Sequence, residues 1–402
     1  MENQKKRIIF VYNNLGIGGI AKSLITTLSL IDYTRYDVTI YIRRDDVLDL
    51  IDEVPPQVHT VLINNEVKSR VFGNNIKGKI VKLIYNALNR HHKHLAKEFF
   101  IAYKYPLQRK NEKKALDSNN EKWDVAISYS TDGDDPIFVN ECIKSEKKYV
   151  FVHQSTEIAK RNIKAMEKYD GIISVNPVLV SRISSMVNNR SKVLTIENYV
   201  DYHRIIQRAS EIVDFPITNR TVFATCGRLC TTKGYDYVVE IASQLKEKNV
   251  DFVWYWVGDG PQRSDMEQMI LEKGLNDYIV ITGFQNNPYP YMGNCDVYIQ
   301  PSRAEMYPLT ILEALILKKL VISTKTAGGK YILEKHQCGI LIEDPVKDIS
   351  EFILDLSNNP KLIEQEEGKT AIIDWNADQK RYLSQLELLL SGVIEEKRRG
   401  DN

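Results

Sequence analysis

The sequence predicts an α/β protein built as two successive parallel-sheet domains facing a shared ligand cleft. Three observations carry that expectation. The 402 residues suit two domains of roughly 150 residues or more. Short runs rich in Val, Ile and Tyr alternate with longer stretches of helical period, the pattern of repeated βα units. The alternation halts at residues 201–220, where His, Arg, Asp, Pro and Asn mix without a long apolar run, and then restarts.

Taken in order, the first seven predicted strands are Ile8 to Tyr12, Val38 to Ile42, Thr60 to Ile63, Val125 to Ser128, Tyr149 to Val152, Ile172 to Val175 and Val193 to Ile196. Residues 201–220 read as a segment crossing between domains. Six more strands follow at Val222 to Thr225, Phe252 to Val257, Ile279 to Ile281, Val297 to Ile299, Val321 to Ser323 and Ile340 to Ile342. Between them, Tyr237 to Lys246, Arg263 to Glu272, Leu309 to Leu317 and Ile349 to Leu356 carry apolar residues at three- and four-residue spacing, as helices do. The expected division is therefore 1–200, 201–372 and a closing segment, 373–402.

Composition narrows the class. With 43% hydrophobic and 27% charged residues the chain is globular, not disordered or fibrous. A formal charge of +1 excludes the strongly cationic surface of a general nucleic-acid binder. Five cysteines without a CxxC pair are too few for a disulfide framework, and the apolar run Ile8 to Tyr12 is too short for a secretory signal. No run approaches a membrane span. A cytoplasmic protein is expected, soluble or peripherally attached.

The chemistry concentrates in the second half. Cys226-Gly227-Arg228 leaves a predicted strand and Lys233-Gly234 opens a helix, so two cations and two glycines share one strand-to-helix turn. Amides at a helix start favour anions, and an Arg fork and a Lys point charge can neutralise two phosphoryl groups. Alone, the motif reads equally well as two solvated surface cations. Farther on, Glu305 precedes the helix from Leu309, and Glu313 lies eight residues later on its second turn. Leu309 and Thr310 would offer free amides to a diphosphate. In isolation each carboxylate also fits a plainer role, Glu305 answering the helix dipole and Glu313 facing solvent.

Together, Gly227-Arg228, Lys233-Gly234, Gly258-Asp259-Gly260-Pro261, Gly283-Phe284 and the Glu305/Glu313 pair resemble the retaining glycosyltransferases of family 4, with their E-x7-E signature. The likeness extends to Gly16-Ile17-Gly18-Gly19-Ile20-Ala21, His153, Asn198 to Asp201, Trp375 and Ala377 to Leu390. It implies the GT-B fold: two Rossmann-like domains facing a cleft, the first holding an acceptor, the second a nucleotide-sugar donor, and a C-terminal helix crossing back to the first. It further implies that Arg228 and Lys233 hold the diphosphate, that Glu313 binds the ribose, that Glu305 and His153 contact the sugar, and that backbone beside Phe284 reads the base. Gly18 and Gly19 would let the backbone approach the phosphates. No metal or other cofactor is then required. A uracil-bearing donor is expected ahead of guanine, with a saccharide or lipid-linked acceptor in cell-surface polysaccharide or glycoconjugate synthesis. For His153 a core role stays open, and Gly258 and Gly260 read as turn glycines. Where the family usually has Gly-Phe after the first Glu, this chain has Met306-Tyr307. The alternatives are a nucleotide-sugar epimerase or hydrolase of similar architecture, and a noncatalytic partner subunit that keeps the fold.

Residues 67–115 stand apart, with thirteen Lys and Arg against two Glu. Ile80, Leu83, Ile84, Leu88, Leu95, Phe99 and Phe100 recur there at helical spacing. One or two basic amphipathic helices follow, suited to an anionic membrane surface on the cytoplasmic side or, equally, to an ordinary domain helix with a solvated basic face. The His91, His92 and His94 cluster reads as surface, not as a metal site.

Overall fold

The computed structural model describes residues 4–62, 76–119, 121–153, 158–187, 192–211, 219–359 and 361–393. Residues 67–75 of the basic segment therefore lie outside the described residues. The chain divides into two compact units, Met1–Glu197 with Tyr382–Asn402, and Asn198–Arg381.

In the first unit, strands β1 (Lys6–Tyr12), β2 (Tyr36–Ile42), β3 (His59–Leu62), β4 (Trp123–Ser128), β5 (Ser145–Val152), β6 (Gly171–Ser174) and β7 (Val193–Thr195) form one parallel sheet in the order β3-β2-β1-β4-β5-β6-β7. Helices α1 (Gly19–Ser29), α2 (Ile76–His91), α3 (Lys93–Asn119), α4 (Asp135–Cys142), α5 (Lys160–Met166) and α6 (Val180–Met186) accompany it. The second unit begins with α7 (Tyr202–Ala209). Strands β8 (Thr221–Cys226), β9 (Phe252–Val257), β10 (Ile279–Gly283), β11 (Val297–Gln300), β12 (Leu320–Thr324) and β13 (Ile340–Ile342) follow, parallel and ordered β10-β9-β8-β11-β12-β13. Its helices are α8 (Tyr235–Glu247), α9 (Arg263–Glu272), α10 (Tyr289–Gly293), α11 (Leu309–Ile316), α12 (Ala327–His336), α13 (Lys347–Asn358) and α14 (Lys361–Ala371); α15 (Trp375–Leu390) begins here and continues into the first unit.

Each predicted apolar run coincides with a strand among the described residues; Ile63, the last residue of the third run, lies outside them. The interior strands are buried on both faces, as a parallel sheet between helix layers requires: β9, Phe252-Val-Trp-Tyr-Trp-Val257, has no exposed residue. Trp254, Trp256, Phe223 and Phe252 fill the second core against Val238, Val239 and Leu245 of α8. One segment departs from expectation. Residues 201–220 are not wholly a connector, because Tyr202–Ala209 form α7. Asp201 caps it through the Arg204 amide, and Tyr202 and Ile205 are buried. The apolar signal is only two turns long, too short to register in a stretch otherwise polar.

In both sheets the strand order reverses between two central neighbours, β1 and β4 in the first, β8 and β11 in the second. Such a reversal opens a crevice at the strands' carboxyl ends, where α/β sheets hold ligands. The loops leaving these four strands carry most of the residues singled out above.

Two features brace the first unit. Arg43, directly after β2, is 2% exposed and binds Glu112 of α3 at 2.9 Å, Asp134 at 2.6 Å and Asp135 at 2.9 Å. Burial pushes the Asp135 carboxyl up to about 7, against the pull of the Arg43 charge. Arg109 of α3 adds a second cation on Asp134, so α3 is pinned to the loop after β4. The other brace is the chain end. Tyr382, Leu386, Leu389 and Leu390 are buried, and the Tyr382 hydroxyl lies 2.6 Å from Thr27 Oγ1.

Candidate active site

In the second unit, β8 ends at Cys226 and the chain passes through Gly227 and Arg228 to a 3-10 turn, Thr231–Lys233. Gly234 then adopts φ 74°, and α8 starts at Tyr235. A Cβ on Gly234 would stand 2.1 Å from the Pro301 carbonyl oxygen, so the two loops meet only because glycine is there. Gly258 packs likewise, its would-be Cβ 2.1 Å from the Gly227 oxygen, which agrees with a turn role. Arg303 ties the loops together: its guanidinium donates to Asp236 at 2.8 and 2.5 Å and to the Thr231 carbonyl at 2.7 Å. Burial pushes the Asp236 carboxyl up, but the Arg303 hydrogen bonds and charge outweigh it and hold the carboxyl below its ordinary value.

That frame sets Lys233 against Glu305, with Nζ 2.5 Å from Oε1. The same oxygen accepts from Gln300 Nε2 at 2.9 Å and Ser302 Oγ at 2.8 Å. Gln300, 1% exposed, accepts in turn from Tyr298 at 2.7 Å and Thr310 at 3.0 Å. Gly328 approaches closely enough for its amide to donate to the Glu305 carbonyl at 2.9 Å. Glu305 is thus fixed in orientation from four sides while remaining 11% exposed. Arg228 is exposed and forms no ion pair among the described residues.

Glu313 sits inside α11, 2% exposed. Its Oε1 accepts from the Tyr289 hydroxyl at 3.2 Å, and its Oε2 is buried with no hydrogen-bond partner among the described residues. Glu313 is therefore not a solvated helix residue, because every residue of α11 except Thr310 is buried. Leu309 and Thr310 begin this helix without a side-chain cap, which leaves their amides uncapped by any side chain. Phe284 follows β10 and is 49% exposed.

In the first unit, β1 opens into Asn13 to Gly18, and α1 starts at Gly19. A Cβ on Gly18 or Gly19 would meet no atom within 4 Å, so the fold leaves open space before them. Tyr12, Asn14, Gly16 and Asp49 line the same concavity. His153 follows β5 and is 7% exposed, stacked on Phe151 and beside Tyr129. Burial drives its pKa down to about 3, against a hydrogen bond to the Tyr129 backbone, and its Nε2 has no partner among the described residues. The imidazole is neutral at neutral pH, with one nitrogen uncommitted.

The structure therefore brings Lys233, Glu305 and Thr310 into one hydrogen-bonded network, reached through Gln300. Gln300, Ser302, Tyr298 and Tyr289 escaped the sequence reading. Gln300 had a signal of its own, being an amide at the end of an otherwise apolar strand, where an unpaired polar group would be costly. Tyr289 had none, because a tyrosine beside two prolines reads as a loop residue.

Residues 208–370, all within the second unit, match the family model of glycosyl transferases group 1. The solved structure of HepE from Anabaena, in complex with UDP and glucose, superposes with a TM-score of 0.66 at 15% identity, covering 94% of this chain and 99% of that one. The fold is accordingly of the GT-B class, two Rossmann-like units. By sequence, the chain is 26% identical over 180 residues to an alpha-D-kanosaminyltransferase of Streptomyces kanamyceticus, covering 44% of this chain and 47% of that protein. The chain spans about half the length of curated relatives such as this one. A longer match, 23% identical over 340 residues and covering 83% of this chain and 85% of the other, is to an N-acetylgalactosamine-N,N'-diacetylbacillosaminyl-diphospho-undecaprenol 4-alpha-N-acetylgalactosaminyltransferase of Campylobacter jejuni.

Proposed function

We propose that this protein is a retaining glycosyltransferase of family 4 type, moving a sugar from a nucleoside diphosphate donor, uracil-bearing by preference, to a saccharide or lipid-linked acceptor in cell-surface polysaccharide or glycoconjugate synthesis. The observation that carries the reading is the Lys233–Glu305 pair at 2.5 Å, set at the reversal point of the second sheet with the unpaired Arg228 on the same loop. Sugar transfer passes through an oxocarbenium-like state whose leaving group gains negative charge. Arg228 and Lys233 supply positive charge to that diphosphate, aided by the amides of Leu309 and Thr310, without a metal. Lys233 also holds Glu305, whose carboxylate takes up the hydroxyls of the transferred sugar. Glu313 binds the ribose, and backbone beside Phe284 reads the base. His153, neutral, accepts a sugar hydroxyl at Nε2, and Gly18 and Gly19 give the first unit's backbone access to the phosphates. Retention then follows from same-face attack within an ion pair, the leaving phosphate taking the acceptor proton.

The partner side of the proposal is an anionic membrane surface on the cytoplasmic side. Among the described residues no helix is long and apolar enough to cross a membrane. On α2, however, Ile80, Leu83 and Ile84 are 50%, 68% and 41% exposed, whereas Val81 on the other face is 7% exposed. An ordinary domain helix would bury the first three.

Thermal stabilisation by UDP, GDP, ADP and their sugars, with and without EDTA, tests the donor assignment. A ligand at a hundred times its dissociation constant adds about 2.7 kcal/mol. Stabilisation by UDP that survives EDTA and is mostly lost in Arg228→Ala and Lys233→Ala supports the reading; nucleotide affinity indifferent to both changes refutes it.

A further inference from the structure

Tyr289 lies outside the glycine, Arg/Lys and Glu motifs, yet its side chain is the one that holds Glu313 among the described residues. It opens α10, is 9% exposed, and its phenol donates to Glu313 Oε1 at 3.2 Å. The ring is fixed in turn. Arg208 of α7 lies over its face at 5.8 Å and donates to the Asn286 carbonyl at 3.0 Å, while Asn287 donates to the Arg208 carbonyl at 2.8 Å and accepts from the Tyr289 amide at 3.2 Å. Burial, and then the Glu313 charge, push the phenol well above its ordinary pKa, so it stays a donor at any physiological pH.

A carboxylate offers about four acceptor sites on its two oxygens. Here one is taken by the tyrosine, and Oε2 is left buried and unpartnered. A buried polar atom without a partner is costly unless something else supplies a donor. Two adjacent hydroxyls fit that need, because a vicinal diol can donate to both oxygens of a carboxylate at once.

Resting on the donor reading above, we infer that Tyr289 is a positioning residue that turns Glu313 so as to read both ribose hydroxyls, making the pocket discriminate ribonucleotides from 2′-deoxyribonucleotides. The hydroxyl contact belongs to Glu313; Tyr289 sets the plane and rotation of that carboxylate. Without the phenol, Glu313 is free to turn, and the bidentate geometry is lost. The loop Phe284 to Asn287 then runs from the base contact to Tyr289, which holds the ribose-binding carboxylate.

The test compares binding of UDP with 2′-deoxyuridine diphosphate, and of GDP with 2′-deoxyguanosine diphosphate, in the wild type, Tyr289→Phe and Glu313→Gln. Sites built to hydrogen-bond a hydroxyl reject analogues that lack it, so the wild type is expected to prefer the ribonucleotide by about tenfold or more. In Tyr289→Phe the preference should shrink several-fold, because ribonucleotide binding, which uses both hydroxyls, weakens more than 2′-deoxynucleotide binding, which keeps only the 3′-hydroxyl contact. A uniform loss for both sugars, with the ratio preserved, would mark a merely structural role and overturn the inference. Glu313→Gln keeps the shape and should abolish the preference, guarding against misfolding of the tyrosine variant. Wild type that binds none of the four nucleotides overturns the donor reading itself; wild type that binds UDP with a ratio indifferent to Tyr289 overturns this inference alone.

Discussion

A neutral imidazole buried at the end of a strand leaves a signature in the pH dependence of folding. His153 is pushed by burial from 6.5 to about 3. Between those values the unfolded chain takes a proton that the folded chain refuses, so stability falls as pH drops below 6.5 and is fully present above it. One such group contributes at most about 1.4 kcal/mol per pH unit in that window. Urea unfolding of wild type and His153→Gln at pH 7 and pH 5 checks this: the variant should lose less stability on acidification. Equal losses would mean that His153 charges in the folded state. The same burial leaves Nε2 available as an acceptor for a sugar hydroxyl, the role proposed for it. Lys233 and Glu305 are the opposite case, two charges that neutralise each other at rest and must share their partners with a ligand.

At the scale of elements, α2 gives the sharpest prediction. It carries four Lys and Arg with no Asp or Glu, and Lys79 and Arg90 are exposed together with Ile80, Leu83 and Ile84. Each cation near an anionic leaflet contributes about 1 kcal/mol, and each apolar side chain buried there adds about 1.5–3 kcal/mol. Co-sedimentation with phosphatidylglycerol vesicles at low salt should capture the protein, and Leu83→Glu with Ile84→Glu should weaken capture by tenfold or more on the order of these energies. No binding at low salt, where attraction is strongest, would leave α2 an ordinary helix with a basic face. The sequence left those readings level because periodicity alone reports that a helix has an apolar face, not what covers it. The pinning of α3 through Glu112, Arg43 and Asp134 was equally hidden, since it joins residues from three separate segments.

Across the whole molecule, the parallel sheets were legible because strands buried on both faces read as unbroken apolar runs, and all thirteen runs are strands among the described residues. Helix α7 was not, because two turns with two buried residues leave too weak a period. The candidate site was legible where chemistry and position coincide: Arg228, Lys233 and Glu305 are charges in loops leaving the carboxyl ends of strands, and Glu313 lies on the helix that follows one of them. It was illegible where neutral residues do the holding. Gln300 and Tyr289 act through hydrogen bonds to the Glu305 and Glu313 carboxylates, five and twenty-four positions away, and nothing in their local sequence announces those partners. The central claim is that cations of the second unit grip a pyrophosphate. A crystal structure of the chain with UDP tests it most directly: the diphosphate should lie between Arg228 and Lys233 against the amides of Leu309 and Thr310, with both ribose hydroxyls on Glu313. A nucleotide bound away from Arg228 and Lys233 would contradict it.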